Sequence, residues 1–202
     1  MTASPANSRP ARPAATVAAG ILVSRVLGFV RERVFAHYFG NDQSADAFRA
    51  ALKIPNVVRN LLGEGTLSAS FIPVYARAVE RGDEAGARAL AGAVLGVLAG
   101  VTALSALAGI WLAPLITDFV AFGFPPATRA LTVRLVRILF PMTGLMVVSG
   151  WCLGVLNTHR RFFLPYAAPA VWNIAGIATL WTAATWRPQA GPVDLAVALA
   201  WG

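Results

Sequence analysis

Charge is scarce in this sequence, and acidic charge is the scarcest. Of the 202 residues only 13% are charged, and 17 lysines and arginines stand against 9 aspartates and glutamates. Soluble globular domains usually carry about a quarter charged residues. The mean hydropathy is +0.63. This composition excludes an ordinary soluble domain and favours a membrane protein.

Residues that build metal and redox sites are almost missing. The single cysteine, Cys152, excludes an intrachain disulfide, a zinc site and a redox pair. His37 and His159 have no acidic or cysteine neighbours at metal-ligand spacing. Nothing resembles a phosphate loop, a nucleophile elbow or an HExxH motif. We therefore predict no metal, no cofactor and no catalytic residue.

The net charge of +8 is not gathered into one soluble patch. The basic residues lie inside the apolar segments or at their ends. This placement argues against a nucleic-acid partner and favours anionic membrane lipids or an anionic substrate.

Long runs without any charge are present. They cover Ala89 to Thr117, Ile138 to Thr158 and Phe162 to Trp186. About 20 helical residues cross a hydrocarbon core of roughly 30 Å, so each run is long enough to span a membrane. Another apolar segment begins at Val193. Because half a span cannot satisfy its backbone in lipid, we expect the chain to be the N-terminal part of a longer protein.

These runs predict an all-α, polytopic membrane helix bundle. We expect a disordered cytoplasmic tail over 1–13 and a transmembrane domain over 14–202, truncated in or near its sixth helix. Pro55 is expected to interrupt the second segment, and Pro141 to kink the fourth. The predicted segments are 14–40, 44–78, 87–118, 127–157, 165–186 and one that begins near 193.

Arginines in the connecting loops predict the orientation. With the N-terminus inside, the cytoplasmic segments hold most of the loop arginines, and the opposite side holds fewer. The predicted cytoplasmic arginines are Arg9, Arg12, Arg77, Arg81, Arg88, Arg160 and Arg161. We therefore expect a multi-pass protein with a cytoplasmic N-terminus.

The first two segments carry far more charge than lipid-facing helices tolerate. Between residues 21 and 75 lie 6 basic and 4 acidic residues. A charge at the bilayer centre costs from about 2.5 to over ~10 kcal/mol, so most of these side chains should face a hydrated interior. The basic residues are Arg25, Arg31, Arg33, Arg49, Lys53 and Arg59, and the acidic ones are Glu32, Asp42, Asp46 and Glu64.

In the second segment the polar residues fall on one helical face. At about 100° per residue they occupy a sector of roughly 80°. The members of this polar stripe are Asp46, Arg49, Lys53, Asn56, Asn60 and Glu64. One interpretation is that the charges pair between helices and only support packing. The other is that the excess of basic residues binds an anion, for which the guanidinium fork suits phosphate oxygens.

An ordered series of charged and small residues runs through these two segments. It consists of Ser24 to Glu32, Phe39-Gly40, Asp46-Ala47-Phe48, Ile54-Pro55-Asn56, Arg59, Glu64-Gly65 and Phe71-Ile72-Pro73. This series resembles the MurJ (MviN-type) lipid II flippase family. The later Leu156-Asn157-Thr158, Arg161-Phe162 and Asn173-Ile174 also fit, so the resemblance covers nearly the whole chain beyond residue 15.

The resemblance implies one lobe, of about six helices, of a two-lobe transporter with about fourteen helices. Its superfamily is that of multidrug, oligosaccharidyl-lipid and polysaccharide exporters. The implied activity moves lipid II, undecaprenyl-pyrophosphoryl-MurNAc-pentapeptide-GlcNAc, from the cytoplasmic to the periplasmic leaflet of the bacterial inner membrane. Alternating access around a cationic cavity would do this without breaking a bond, so no enzyme is implied.

By motif position, the resemblance assigns substrate binding to Arg25, Arg31 and Arg59. The supporting cavity residues would be Glu32, Asp46, Arg49, Lys53, Asn56, Asn60 and Glu64. Two positions depart from the family pattern, which often has aspartate at the place of Glu32 and a second arginine at the place of Asn60. These departures leave the detailed binding geometry open.

Two other functions stay open at this point. The chain could export another lipid-linked oligosaccharide, or it could be a membrane scaffold for cell-wall synthases whose charges only pack helices. A small-cation exporter fits less well, because it should have an acidic cavity. Contacts with other cell-wall synthesis proteins are compatible with each of these functions.

Overall fold

In a computed structural model, the protein is described over residues 12–62, 70–159, 163–187 and 189–201, and the helices account for nearly all of these residues. The described residues contain no strand. The predicted all-α membrane bundle is thereby confirmed. The helices are α1 (Arg12–Phe39), α2 (Gln43–Arg59), α3 (Ile72–Glu80), α4 (Glu84–Trp111), α5 (Ala113–Val120), α6 (Pro126–Thr158), α7 (Phe163–Trp186) and α8 (Pro192–Trp201).

Two of the described helices, α4 and α6, are long and apolar enough to cross a membrane by length and composition. The helix α4 covers most of the third predicted segment, and α6 coincides with the fourth. The helix α1 is equally long but carries the charges of the first predicted segment. The helix α7 has no charged residue. The charged α1 therefore needs a polar environment on at least one face.

The helix α2 does not break at Pro55, so the predicted interruption there is wrong. Pro55 is buried and lies within α2, which continues to Arg59. A proline removes one backbone hydrogen bond and crowds the carbonyl four residues earlier. The alanine-rich face of α2 is packed along α6, and this packing holds the helix together across the proline. A π-helical turn follows at 60–62, and residues 63–69 lie outside the described residues.

The third predicted segment is two helices rather than one. Pro114 lies in the first turn of α5, and the chain turns at Leu112 between α4 and α5. Since Pro114 has no N–H, it cannot bond the carbonyl of Ile110 four residues earlier. Arg137 of α6 donates from its Nε to that carbonyl oxygen at 3.4 Å. The continuous apolar run concealed this proline break.

The helix α6 is the centre of the bundle, in contact with α2, α3, α4, α5, α7 and α8. Its residues Leu135, Leu139 and Phe140 are buried in the main core. In α4, Gly109 allows the closest approach, because a Cβ built there would stand 2.1 Å from Cδ1 of Phe140. A second apolar cluster, around Val147, joins α6 to α3 and α4.

The helix α1 packs mainly along α7. Asn173 of α7 is buried and donates from its Nδ2 to the carbonyl oxygen of Ser24 at 3.1 Å. The same amide lies 3.5 Å from the Cβ that a larger residue would have at Gly28. Buried amides commonly join transmembrane helices in this way. This hydrogen bond therefore joins α7 to α1.

Candidate functional site

Arg31 lies on α1 at the point where this helix faces α7. Its Nη2 donates to Oε1 of Glu32 at 2.8 Å, and its side chain is 32% exposed. The aliphatic stem of Arg31 passes close to Gly176, where a Cβ would stand 3.5 Å from Cδ. The glycine leaves room for the stem, and the side chain of Arg31 remains partly exposed.

Arg59 is the last residue of α2 and is half-buried. Its Nη2 donates to Oδ1 of the next residue, Asn60, at 2.9 Å. The amide oxygen of Asn60 therefore accepts from one N–H group of the Arg59 guanidinium. The family pattern often has a second arginine at the position of Asn60.

Arg31 and Arg59 line the same cavity, which has a volume of about 670 Å³. We call it the polar cavity, because Asn56 of α2 and Asn157 of α6 also line it. Its other polar lining residues are Thr143, Ser149 and Asn173. Two guanidinium groups thus face one space in which the other polar groups are uncharged. Such a lining favours an anion over a cation.

A smaller cavity of about 120 Å³ adjoins the polar cavity, and we call it the annex. Arg31 and Trp172 line both spaces. Glu32 and Arg49 also border the annex. The rest of the annex wall is apolar or carries no side chain, and is made by Phe35, Phe48, Leu52, Leu139, Met142, Gly176, Leu180 and Leu199.

Arg25, the third arginine assigned to substrate binding, is placed differently. It is exposed on α1 and is not among the described residues that line the polar cavity or the annex. Its neighbour Ser24 is the residue whose carbonyl accepts from Asn173. Arg31 and Arg59 therefore line a common cavity, and Arg25 is not among the described residues that line it.

The polar stripe of α2 lies on the face opposite the buried alanines. Of its members, Arg49 and Asn56 contribute to cavity walls. The guanidinium carbon of Arg49 also lies 5.2 Å from the ring centre of Phe35, within cation–π range. Glu64 lies outside the described residues. The exposed members are Asp46, Arg49, Lys53, Asn56 and Asn60.

The sequence did not point to several uncharged residues of the cavity walls. Trp172 is 38% exposed and lines both spaces. In the sequence, Asn157 is indicated only by its fit to the family pattern. The signal that could have pointed to Asn157 is an isolated amide in an apolar run, because such a group needs a polar partner in a membrane.

Chemically, this arrangement can hold an anion. In the part of the chain that the structure describes, no three His, Cys, Asp or Glu residues gather into a group that could hold a metal ion. The nearest carboxylate to Arg31 is engaged with it at 2.8 Å. The site is therefore best described as a binding surface with a cationic wall.

Comparison with known proteins gives a consistent result. A family model described as lipid II flippase MurJ matches residues 35–202. The chain is 35% identical over 191 residues to a protein named probable lipid II flippase MurJ from Rhizobium meliloti, covering 93% of this chain and 35% of that protein. It is 38% identical over 165 residues to the lipid II flippase MurJ of Burkholderia cenocepacia, covering 81% and 32%.

A relative from Haemophilus influenzae, named probable lipid II flippase MurJ, is 34% identical over 187 residues, covering 88% of this chain and 36% of that protein. The chain thus spans about a third of the length of these relatives. The similarity extends over most of the chain and includes the helices that carry the polar cavity.

Proposed function

The chain belongs to the lipid II flippase MurJ family, and on this basis we propose that it forms part of a transporter for lipid II. The transported molecule would be undecaprenyl-pyrophosphoryl-MurNAc-pentapeptide-GlcNAc. It would move from the cytoplasmic to the periplasmic leaflet of the bacterial inner membrane. No bond is broken in this movement, so the protein would act as a carrier and not as an enzyme.

The observation that carries the proposal is the shared cavity of Arg31 and Arg59. They come from different helices, α1 and α2, and line one space of about 670 Å³. Keeping two guanidinium groups within a membrane bundle costs at least about 2.5 kcal/mol each on insertion scales, unless water or an anion accompanies them. The pyrophosphate of lipid II has oxygens on both of its phosphorus atoms, and each guanidinium fork can donate hydrogen bonds to two of them.

The polar cavity would bind the pyrophosphate by these two arginines. Glu32, held at 2.8 Å by Arg31, would keep that guanidinium oriented while the cavity is empty. Uncharged amides such as Asn56 and Asn157 would face the hydroxyl and amide groups of the attached sugar. Arg25, which stands apart from this cavity, would contact the substrate only in another conformation of the transporter.

Movement between leaflets would follow alternating access. In this scheme two lobes rock around a fixed binding site and open it to each side in turn. The described helices would belong to one lobe, with α6 as its centre and α1 on α7 as its charged edge. The N-terminus would lie in the cytoplasm, as the loop arginines predict.

The scaffold hypothesis has one observation in its favour: Glu32, the next residue on the same helix, neutralises Arg31. If this pair only supports helix packing, exchanging its members should be tolerated. A double variant Arg31→Glu with Glu32→Arg tests this in a cell depleted of its own flippase. Growth rescue by the swapped pair would favour the scaffold, whereas loss of rescue at normal protein level supports the anion cavity.

A growth experiment also tests the flippase proposal itself. The full-length gene is expressed in the depleted cell, with Arg31→Ala or Arg59→Ala, and abundance is checked by immunoblot. We expect rescue by the unaltered gene and by the control Arg88→Ala, which changes a largely exposed arginine in the first turn of α4. Rescue by both cavity variants would contradict the proposal.

A further inference from the structure

The polar cavity and the annex differ in the chemistry of their walls. Trp172, Leu52, Leu139 and Met142 line both, and so does Arg31. On one side of this shared wall the cavity presents amides and hydroxyls. On the other side the annex presents mostly aliphatic and aromatic groups. Arg31 thus lies between a space whose other uncharged polar groups are amides and hydroxyls and a space whose wall is mostly apolar, with Glu32 and Arg49 at its border.

A molecule that fits both spaces must carry an anion between a polar and an apolar group. Prenyl-linked pyrophosphates have this order of groups, with a sugar on one phosphate and an isoprene unit on the other. If the pyrophosphate lies against Arg31, the sugar can extend into the polar cavity and the isoprene unit into the annex. The order of the two spaces matches the order of the groups along the molecule.

The volume of the annex agrees with one isoprene unit. The annex measures about 120 Å³. An apolar protein cavity of about 150 Å³ holds a benzene molecule, which has six carbons. A five-carbon unit is therefore the right size, and a longer chain must leave through the open side of the annex.

The annex owes its space to Gly176. A Cβ at this position would stand 3.5 Å from Cδ of Arg31 and 3.8 Å from Cδ1 of Leu199. Both distances are ordinary contacts, so an alanine fits. A leucine would extend further into the annex.

We infer that the annex binds the first isoprene unit of the lipid, next to the pyrophosphate held by Arg31 and Arg59. This inference rests on the proposed function, since it requires a pyrophosphate at these arginines. It makes Gly176 and Leu199 determinants of the recognition of the lipid, while the arginines recognise its charge.

Two water-soluble esters test the inference, methyl pyrophosphate and dimethylallyl pyrophosphate. Their affinities are measured by calorimetry on the full-length protein in lipid nanodiscs. We expect the dimethylallyl ester to bind at least about ten-fold more tightly, because several additional carbons leave water for the annex. The ratio of the two affinities is the readout, so that a general change in pyrophosphate binding cancels.

Filling the annex should remove this preference. In Gly176→Leu, and independently in Leu199→Phe, we expect the ratio to fall to about two or below. The control Gly176→Ala should keep most of the preference. The two variants lie on different helices, α7 and α8, so that if one misfolds the other still tests the inference.

The outcomes separate this inference from the proposed function. Binding of the methyl ester without any preference for the dimethylallyl ester would overturn the inference alone. A preference that survives in both filled variants would also overturn it, because the isoprene unit would then bind elsewhere. Failure of both esters to bind would overturn the pyrophosphate site and the inference together.

Discussion

Asn173 donates from its Nδ2 to the carbonyl oxygen of Ser24 at 3.1 Å, and this bond joins α7 to the middle of α1. The carbonyl belongs to the residue before Arg25 and lies four residues before Gly28. Because a buried amide in a membrane bundle has few alternative partners, this bond fixes the position of α1 along α7. The same interface sets Arg31 beside Gly176.

We predict that Asn173→Ala destabilises the folded protein modestly. Hydrogen bonds between transmembrane helices average about 0.6 kcal/mol and reach about 1.7 kcal/mol. Losing this hydrogen bond should lower the midpoint temperature of unfolding in detergent. It should also increase the rate at which a cysteine introduced on α1 is labelled. The control Thr182→Ala removes a hydroxyl that bonds only within α7. An equal effect of both variants would contradict a specific role of Asn173.

The contact between Gly109 and Phe140 predicts a larger effect. Gly109→Ala places a methyl group where the ring now lies, at 2.1 Å from Cδ1. We expect a loss of about 1–3 kcal/mol in the free energy of unfolding, the usual cost of overpacking. Gly100→Ala on the same helix is the control, since a Cβ there meets nothing within 4 Å. Equal stability of the two variants would show that α4 and α6 can separate without cost.

The orientation is tested by cysteine labelling in intact cells, after Cys152 is replaced by alanine. Asp83 caps α4 through its hydrogen bond with the backbone of Gly86, and Phe122 follows α5 at the other end. The label is a thiol reagent that does not cross the membrane. With a cytoplasmic N-terminus, Asp83→Cys should react with it only after the membrane is permeabilised. Phe122→Cys should react with it in cells whose membrane is intact. The reverse pattern would reject the predicted topology.

A substitution series at Arg59 separates charge from shape. Arg59→Lys keeps the charge but loses the bidentate fork, so we expect partial growth rescue. Arg59→Ala should lose nearly all rescue without losing membrane insertion, because removing a charge eases insertion. Growth and protein abundance are measured together. Full rescue by Arg59→Ala would refute a role in phosphate binding.

Asn60 provides the complementary test. Its Oδ1 accepts from Arg59 at 2.9 Å. We expect Asn60→Arg to be tolerated, because the family often has arginine there, and Asn60→Glu to impair growth by repelling phosphate. Wild-type growth of the Asn60→Glu variant would contradict a pyrophosphate site at this end of α2.

The helices were predictable from the sequence because their signal is local. Uncharged runs identify α4, α6 and α7, and the period of the stripe separates the exposed face of α2 from its alanines. The break at Leu112 was missed because Pro114 interrupts hydrogen bonding without interrupting hydropathy. At Pro55 the opposite error arose, since packing along α6 preserves a helix that the local rule would end.

The site was predictable only in part because it depends on which helices meet. The charges of Arg31 and Arg59 could be noticed in the sequence, but not their common cavity. The pairing of α1 with α7 brings Trp172 and Gly176 beside Arg31, across about 140 residues of sequence. Uncharged wall residues carry no charge signal, so their role emerges only from the packing.

The most direct measurement is the leaflet distribution of lipid II in cells that depend on this protein. A periplasmic probe that cleaves lipid II reports the fraction that has crossed the membrane. We predict that Arg31→Ala and Arg59→Ala, at normal abundance, leave nearly all lipid II uncleaved, while Arg88→Ala leaves cleavage unchanged. Wild-type cleavage in both cavity variants would contradict the claim that these arginines carry the pyrophosphate.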